Sequence, residues 1–212
     1  MKVLLIAFDP FGGESLNPAQ EAVRRVDPAH VPAALVKLVV PTVFGASLDL
    51  AVQAIRQERP DVVLAVGQAG GRAALTPERV AINLADAALP DNAGNRPNDV
   101  PVVPGGPAAY FATLPLKAIV TALRAAGLPA EISDTAGTFV CNHLMYGILH
   151  TLAAEQPAAL GGFLHVPYIP AQTAGRPELP SLPLEAIVQG IEVLLQTALA
   201  RPDSETRSDT HA

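Results

Sequence analysis

Residues 3–8, Val-Leu-Leu-Ile-Ala-Phe, form an apolar run with no polar interruption, closed by Asp9-Pro10 and Gly12-Gly13. A run this short and this apolar predicts a strand buried on both faces, followed by a loop. The pattern recurs. Residues 36–40, 61–66 and 160–166 make further strand-like runs, and segments of helical period separate them. Asn17 suits an N-cap, Pro18 a first helical position and Gln20 a capping box, predicting a helix to about Val26. Leu48, Ala51, Val52 and Ile55 share one face of a helix over 47–59. Leu116, Ile119, Val120 and Leu123 trace another, stopped by Gly127 and Pro129. A brief strand over 130–134, a helix from 138 to about 154, and a last helix opened by Ser181 and Pro183 and running to Leu199 complete the series. Residues 72–109, rich in Pro, Gly, Asn and Asp and weakly periodic, predict a long excursion with short strands.

Strands that alternate with helices need crossovers, and crossovers imply parallel neighbours. The expected class is therefore α/β, a three-layer α/β/α sandwich around a mostly parallel sheet. With 212 residues, half of them apolar, one domain over 1–200 is the expectation; the polar stretch 201–212 lacks an apolar face and is expected to be disordered. Functional groups in such sheets collect at the carboxyl ends of strands, here the loops after Phe8, Val66, Asp134 and Leu164. A net charge of -6 without any Lys/Arg block argues against nucleic acid or anionic lipid as partner. The first apolar stretch is too short for a secretory or membrane segment, and a single cysteine forms no intrachain disulfide. The expected location is the cytoplasm.

That cysteine, Cys141, falls in the first turn of the helix expected from 138, where unpaired amides and the helix dipole favour a thiolate. It also shares a helical stripe with Met145 and Ile148, which fits a small buried core residue equally well. His143 lies about 200° around the same helix and His150 about 13 Å along it, so neither reaches the sulfur easily. His165 ends a strand on the edge where Cys141 emerges, which suits a general base. Glu78, after the glycine-rich loop at 67–71, is one candidate to orient the imidazole, and Asp134 is its competitor. The Gly67-Gln68-Ala69-Gly70-Gly71 loop lacks the pattern of a nucleotide motif, and no metal-ligand spacing is present; no cofactor or metal is expected.

Five segments taken together resemble pyroglutamyl peptidase type I, also called pyrrolidone-carboxylate peptidase. They are FDPFGGESLNP from Phe8, GQAGGRAALTPERVAIN from Gly67, PDNAGNRP from Pro90, GTFVCNHLMY from Gly137 and GFLHVPYIP from Gly162. The resemblance implies an α/β/α cysteine peptidase of the cytosol that removes an N-terminal pyroglutamyl residue from peptides. It further implies a homo-oligomer, commonly a tetramer, with Cys141 as nucleophile, His165 as base and Glu78 as its orienting carboxylate. The substrate side falls on Phe8, Phe11, Asn17 and Gln68: the two rings would clamp the flat lactam, and Gln68 or backbone groups would meet its N–H and C=O.

One departure stands out. The family often carries an Arg-Ile pair ahead of Pro-Asp-Asn, with the arginine close to the catalytic centre, whereas this chain has Ala88 and Leu89. Arg72 or Arg79 is the candidate replacement. A class I glutamine amidotransferase also uses a cysteine, a histidine and a glutamate, but with a glycine-flanked cysteine and a His-x-Glu pair that are missing here. A binder that keeps the pocket without turnover is the alternative of a different class, supported only by Ala88.

Overall fold

The computed structural model describes residues 1–200; the expectation for 201–212 lies outside them. The chain runs β1 (Lys2–Phe8), α1 (Pro18–Arg25), a 3-10 turn (Pro28–His30), β2 (Ala34–Val40), α2 (Ala46–Glu58), β3 (Val62–Gln68), β4 (Thr76–Pro77), β5 (Val80–Ile82), β6 (Ala109–Phe111), α3 (Leu116–Ala125), α4 (Val140–Glu155), β7 (Leu160–Val166), α5 (Pro170–Thr173) and α6 (Leu184–Leu199). The main sheet has the order β2-β1-β3-β7-β4, parallel except for the short edge strand β4. β5 and β6 form a separate antiparallel pair that covers part of α4.

Alternation along the strands sorts side chains into two cores. Val3, Leu5, Ala7, Val62, Leu64 and Val66 pack with α1, α3 and α6 on one face. Leu4, Ile6, Phe8, Val63, Ala65 and Phe163 pack with α2 and α4 on the other. Both faces of β1 are dry, which is why its sequence shows no polar residue over six positions. This is the three-layer sandwich expected from the alternation.

Two local expectations need correction. Residues 130–134 form no strand: β4 offers only two residues as an edge, so the segment makes single bridges, Leu75 with Ala130 and Glu78 with Ser133. No capping box closes α1 either. Asn17 Oδ1 accepts from Ala19 N at 2.9 Å, while its amide group donates to Asp9 O at 3.0 Å and ties the preceding loop to the helix.

The chain enters at β1, adds β2 on one side, and then places β3 on the other side of β1. The loops leaving β1 and β3 therefore diverge and open a crevice at the carboxyl ends of the strands. The same period of two decides which face the crevice residues occupy. Gly67 follows Val63 and Ala65 by even steps, and His165 follows Phe163, so both face α4.

Candidate active site

Gly67 on β3 is the in-register partner of His165 on β7, and His165 is paired on its other side with Thr76 of β4. Over Gly67 sits the sulfur of Cys141. A methyl group on Gly67 would stand 2.8 Å from Phe163 Cζ and 3.1 Å from Cys141 Sγ, closer than side chains pack. The glycine lets the amino end of α4 descend onto the sheet beside His165. The nucleophile and base candidates, 24 residues apart in sequence, converge here because helix and strand share one face.

Glu78 arrives from the opposite side. Two residues beyond Thr76, it donates its backbone N–H to Phe163 O at 2.9 Å, which fixes it against β7. Its side chain is fully buried, and Oε1 lies 2.6 Å from His165 Nδ1. A carboxylate only accepts, so Nδ1 carries the proton and Nε2 keeps the lone pair. Asp134, the competing carboxylate, does not reach the imidazole. It accepts from Arg79 Nε at 2.5 Å, and its side chain is 76% exposed.

The electrostatics follow from burial. Burial raises the Glu78 carboxyl, yet the hydrogen bond and charge of His165, with Arg72, outweigh it and hold the group below the usual carboxylate range. Burial pushes His165 below the ordinary histidine value, against the hydrogen bond and charge of Glu78 that favour its protonation. For Cys141 the sequence-based expectation of a lowered pKa is overturned. Burial pushes the thiol up to about 12, Glu78 adds to the rise, and Arg72 opposes it. Removal from water outweighs what a helix end supplies. Burial thus favours the neutral form of both the thiol and the imidazole.

α4 starts at Val140, with Phe139 in the N-cap position and no side chain capping it. Among the described residues, the N–H groups of Val140, Cys141 and Asn142 make no hydrogen bond. The first helical donor that does is His143 N, bonded to Phe139 O at 3.1 Å. Free donors thus lie in the first turn of the helix that carries the sulfur.

The aromatic residues arrange themselves differently from the expected pair of jaws. Phe8 is buried and its ring lies 6.4 Å from that of Phe163. Phe11 meets Phe139 instead, at 5.1 Å between centroids, and Phe44 closes on Phe139 edge-on at 5.2 Å. Phe11, Phe139 and Phe44 form one continuous wall, with Phe8 packed beneath it in the core. Phe139 and Phe44 were not singled out from the sequence, although a phenylalanine two residues before Cys141, in a chain with only six, was a usable signal.

Gln68, at the end of β3, has its amide orientation set by a relay. Ile169 N donates to Gln172 Oε1 at 3.2 Å, which leaves Gln172 Nε2 to donate to Gln68 Oε1 at 2.9 Å. The Gln68 amide nitrogen is then left as a donor. Asn17 is buried, and its amide is engaged with Asp9 and Ala19, so it shapes the loop.

The PDNAGN turn braces that wall. Buried Asp91 accepts from Phe44 N at 2.9 Å, Ala93 N at 2.9 Å, Asn95 N at 2.8 Å and Asn95 Nδ2 at 2.9 Å. Asn92 Nδ2 donates to Pro10 O at 2.8 Å, next to Phe11. Among the described residues, no cluster of three or more His, Cys, Asp and Glu is placed to hold a metal ion, and no helix is long and apolar enough to cross a membrane.

Comparison with known proteins is consistent throughout. The family model described as pyroglutamyl peptidase matches residues 1–201. The pyrrolidone-carboxylate peptidase of Levilactobacillus brevis is 55% identical over 92% of this chain and 96% of its own length. Pyrrolidone-carboxylate peptidase 1 of Ralstonia nicotianae is 52% identical over 95% and 94%. Among solved structures, pyroglutamyl peptidase I from Bacillus amyloliquefaciens superimposes with a TM-score of 0.91 at 50% identity, covering 94% of this chain and 95% of that one. A mutant pyrrolidone carboxyl peptidase from Pyrococcus furiosus gives 0.90 at 40% identity, covering 94% and 98%.

Proposed function

Because this chain belongs to the pyroglutamyl peptidase family, we propose that it removes an N-terminal pyroglutamyl residue from peptides through a thioester formed on Cys141. The observation that supports this reading best is the seating of Cys141 Sγ over Gly67, in register with His165, whose Nδ1–H is held by Glu78.

The thiol is neutral at rest, so proton transfer accompanies attack. His165 Nε2 takes the Sγ proton as the sulfur adds to the carbonyl carbon linking the lactam residue to the peptide. Negative charge then moves onto the carbonyl oxygen, where the uncapped amides at the start of α4 are the donors. The imidazolium, stabilised by Glu78, gives its proton to the departing amine as the C–N bond breaks and the thioester remains. Water, deprotonated by His165, attacks the thioester, frees pyroglutamate and returns the proton to sulfur.

For the substrate, the Phe11–Phe139–Phe44 wall supplies an apolar surface for the lactam ring, and the Gln68 amide nitrogen donates to its carbonyl. Phe8 supports this surface from the core, and Asn17 holds the loop that carries Phe11. Cytoplasmic residence and assembly as a homo-oligomer, a tetramer, belong to the same reading. Exposed Leu89, Val100 and Phe111 are the apolar side chains such an interface would cover.

The test compares kcat/KM for matched pyroglutamyl, prolyl and glutaminyl amides. Prolyl and glutaminyl compounds bring a cationic amine to an apolar wall, and proline lacks the lactam carbonyl, so each should fall behind by orders of magnitude. Equal efficiency for the three would overturn the proposal.

A further inference from the structure

Arg72, in the loop after β3, joins two segments of the chain through two side chains of one and a backbone carbonyl of the other. Its Nη1 donates to Glu78 Oε1 at 2.6 Å and to Thr76 Oγ1 at 2.5 Å, while Nη2 donates to Thr135 O at 3.2 Å. Thr76 is the β4 neighbour of His165, and Thr135 lies in the segment that leads into α4 and Cys141. We infer that Arg72 is a positioning residue for the reaction: it locks the buried Glu78 carboxylate in the orientation that meets His165 and ties it to the segment that delivers Cys141. The inference rests on the reading of Cys141, His165 and Glu78 proposed above.

The charge arrangement gives the reason. Glu78 has no solvent exposure, and the hydrogen bond and charge of His165, with hydrogen bonds from Ser133 and Arg72, hold it ionised against the cost of burial. The partner of Glu78 with a permanent positive charge is Arg72, whose side chain is 28% exposed and keeps one flank in water. Arg79, next in sequence to Glu78, turns to Asp134 instead. Ala88 is exposed and brings no charge. A planar fork is required as well as a charge, since one nitrogen bonds Glu78 and Thr76 while the other reaches Thr135.

Removing Arg72 has a predictable sign. The charged groups that act on the thiol are Glu78 and Arg72 from the edge of the sheet, His165 on β7 is in register with Gly67 beneath the sulfur, and on α4 itself His143 turns toward Phe44 and Gly45. Arg72 lowers both the Cys141 thiol and His165. Without it both rise, and the acid limb of kcat/KM moves to higher pH together with the pH at which Cys141 is alkylated.

The experiment uses Arg72→Met and Arg72→Lys in the full chain, with Cys141→Ala as control. It measures kcat and KM on a chromogenic pyroglutamyl amide across pH, thermal stability, and the rate of iodoacetamide alkylation, which reports Cys141 alone because the chain has one cysteine. Arg72→Met is expected to lose on the order of 100-fold in kcat with KM little changed, and to shift both pH midpoints upward. Arg72→Lys keeps the charge without the fork, so its pH midpoints stay near wild type while kcat recovers only in part. Wild-type kcat and midpoints in a folded Arg72→Met protein would overturn the inference, as would a loss confined to stability. Should Arg72→Met fail to fold, wild-type kcat in Arg72→Lys would overturn it instead. Turnover by Cys141→Ala would bring down the underlying reading; an inactive Cys141→Ala beside an unimpaired Arg72→Met would bring down only this one.

Discussion

The sulfur of Cys141 rests against the backbone of Gly67, the residue that pairs in register with His165. Any larger residue at position 67 forces its neighbours to shift, since its first carbon would press on both Cys141 and the buried ring of Phe163. Gly67→Ala should therefore fold with reduced stability, by about 1–3 kcal/mol as for other overpacked sites, and lose most of its kcat as α4 is lifted off the sheet. Denaturant unfolding and steady-state kinetics check this. Unchanged kcat in Gly67→Ala would mean that the seating of the sulfur is not what sets the rate.

The His165–Glu78 contact governs the pH profile. His165 titrates below the ordinary histidine value, so the acid limb of kcat/KM should lie below that value as well. Glu78→Gln keeps an acceptor for Nδ1–H but removes the charge that favours imidazolium. The limb then moves further toward acid, and kcat falls by about 100-fold or more. The same histidine affects stability. Its pKa is depressed in the folded protein, so its contribution is fully present above the ordinary histidine value and is lost as pH falls toward the folded one. A pH series of kcat/KM for both proteins tests the sign.

Asp91 holds the Phe44 backbone and its own turn through four hydrogen bonds, and Asn92 holds Pro10 beside Phe11. Burial raises the Asp91 carboxyl, but these donors outweigh it and hold the group below its usual range. Asp91→Ala should cost about 2–4 kcal/mol, because several donors lose a charged acceptor. KM for a pyroglutamyl amide should rise more than kcat falls, since the aromatic wall loosens while Cys141 and His165 stay seated. Stability and kinetics measured on one preparation separate the two effects.

Phe139 carries the middle of that wall, between Phe11 and Phe44. Phe139→Ala should reduce kcat/KM for the pyroglutamyl amide about 10-fold or more and shrink its advantage over the prolyl amide. Phe11→Ala should act in the same direction. A selectivity ratio that stays at the wild-type value in both variants would place lactam recognition elsewhere.

Much of the fold was legible because strands dry on both faces leave an unbroken apolar signature, as at 3–8 and 160–166, and the helices between them keep a 3.6 period. The convergence of Cys141 and His165 was legible from strand ends and family motifs together. What escaped depends on tertiary structure. The 130–134 segment looks like a strand, but its partner is too short to pair with it. The order in 72–109 comes from Asp91 and Asn92 bonding backbone far away in sequence, which leaves no periodic trace. The direction of the Cys141 shift was misread because a helix end is visible in sequence, whereas the desolvation that outweighs it is not. The pairing of Phe11 with Phe139 rather than Phe8 likewise depends on how the loop after β1 folds back, under the hold of Asn17 and Asn92.

The central claim is a covalent thioester between Cys141 and the pyroglutamyl group, and mass spectrometry of enzyme quenched in acid during turnover reads it directly. The peptide containing Cys141 should gain the mass of pyroglutamate less one water, with the adduct absent in Cys141→Ala, which should also release no amine. Amine release by Cys141→Ala at the wild-type rate, or full turnover with the adduct on another residue, would contradict the account.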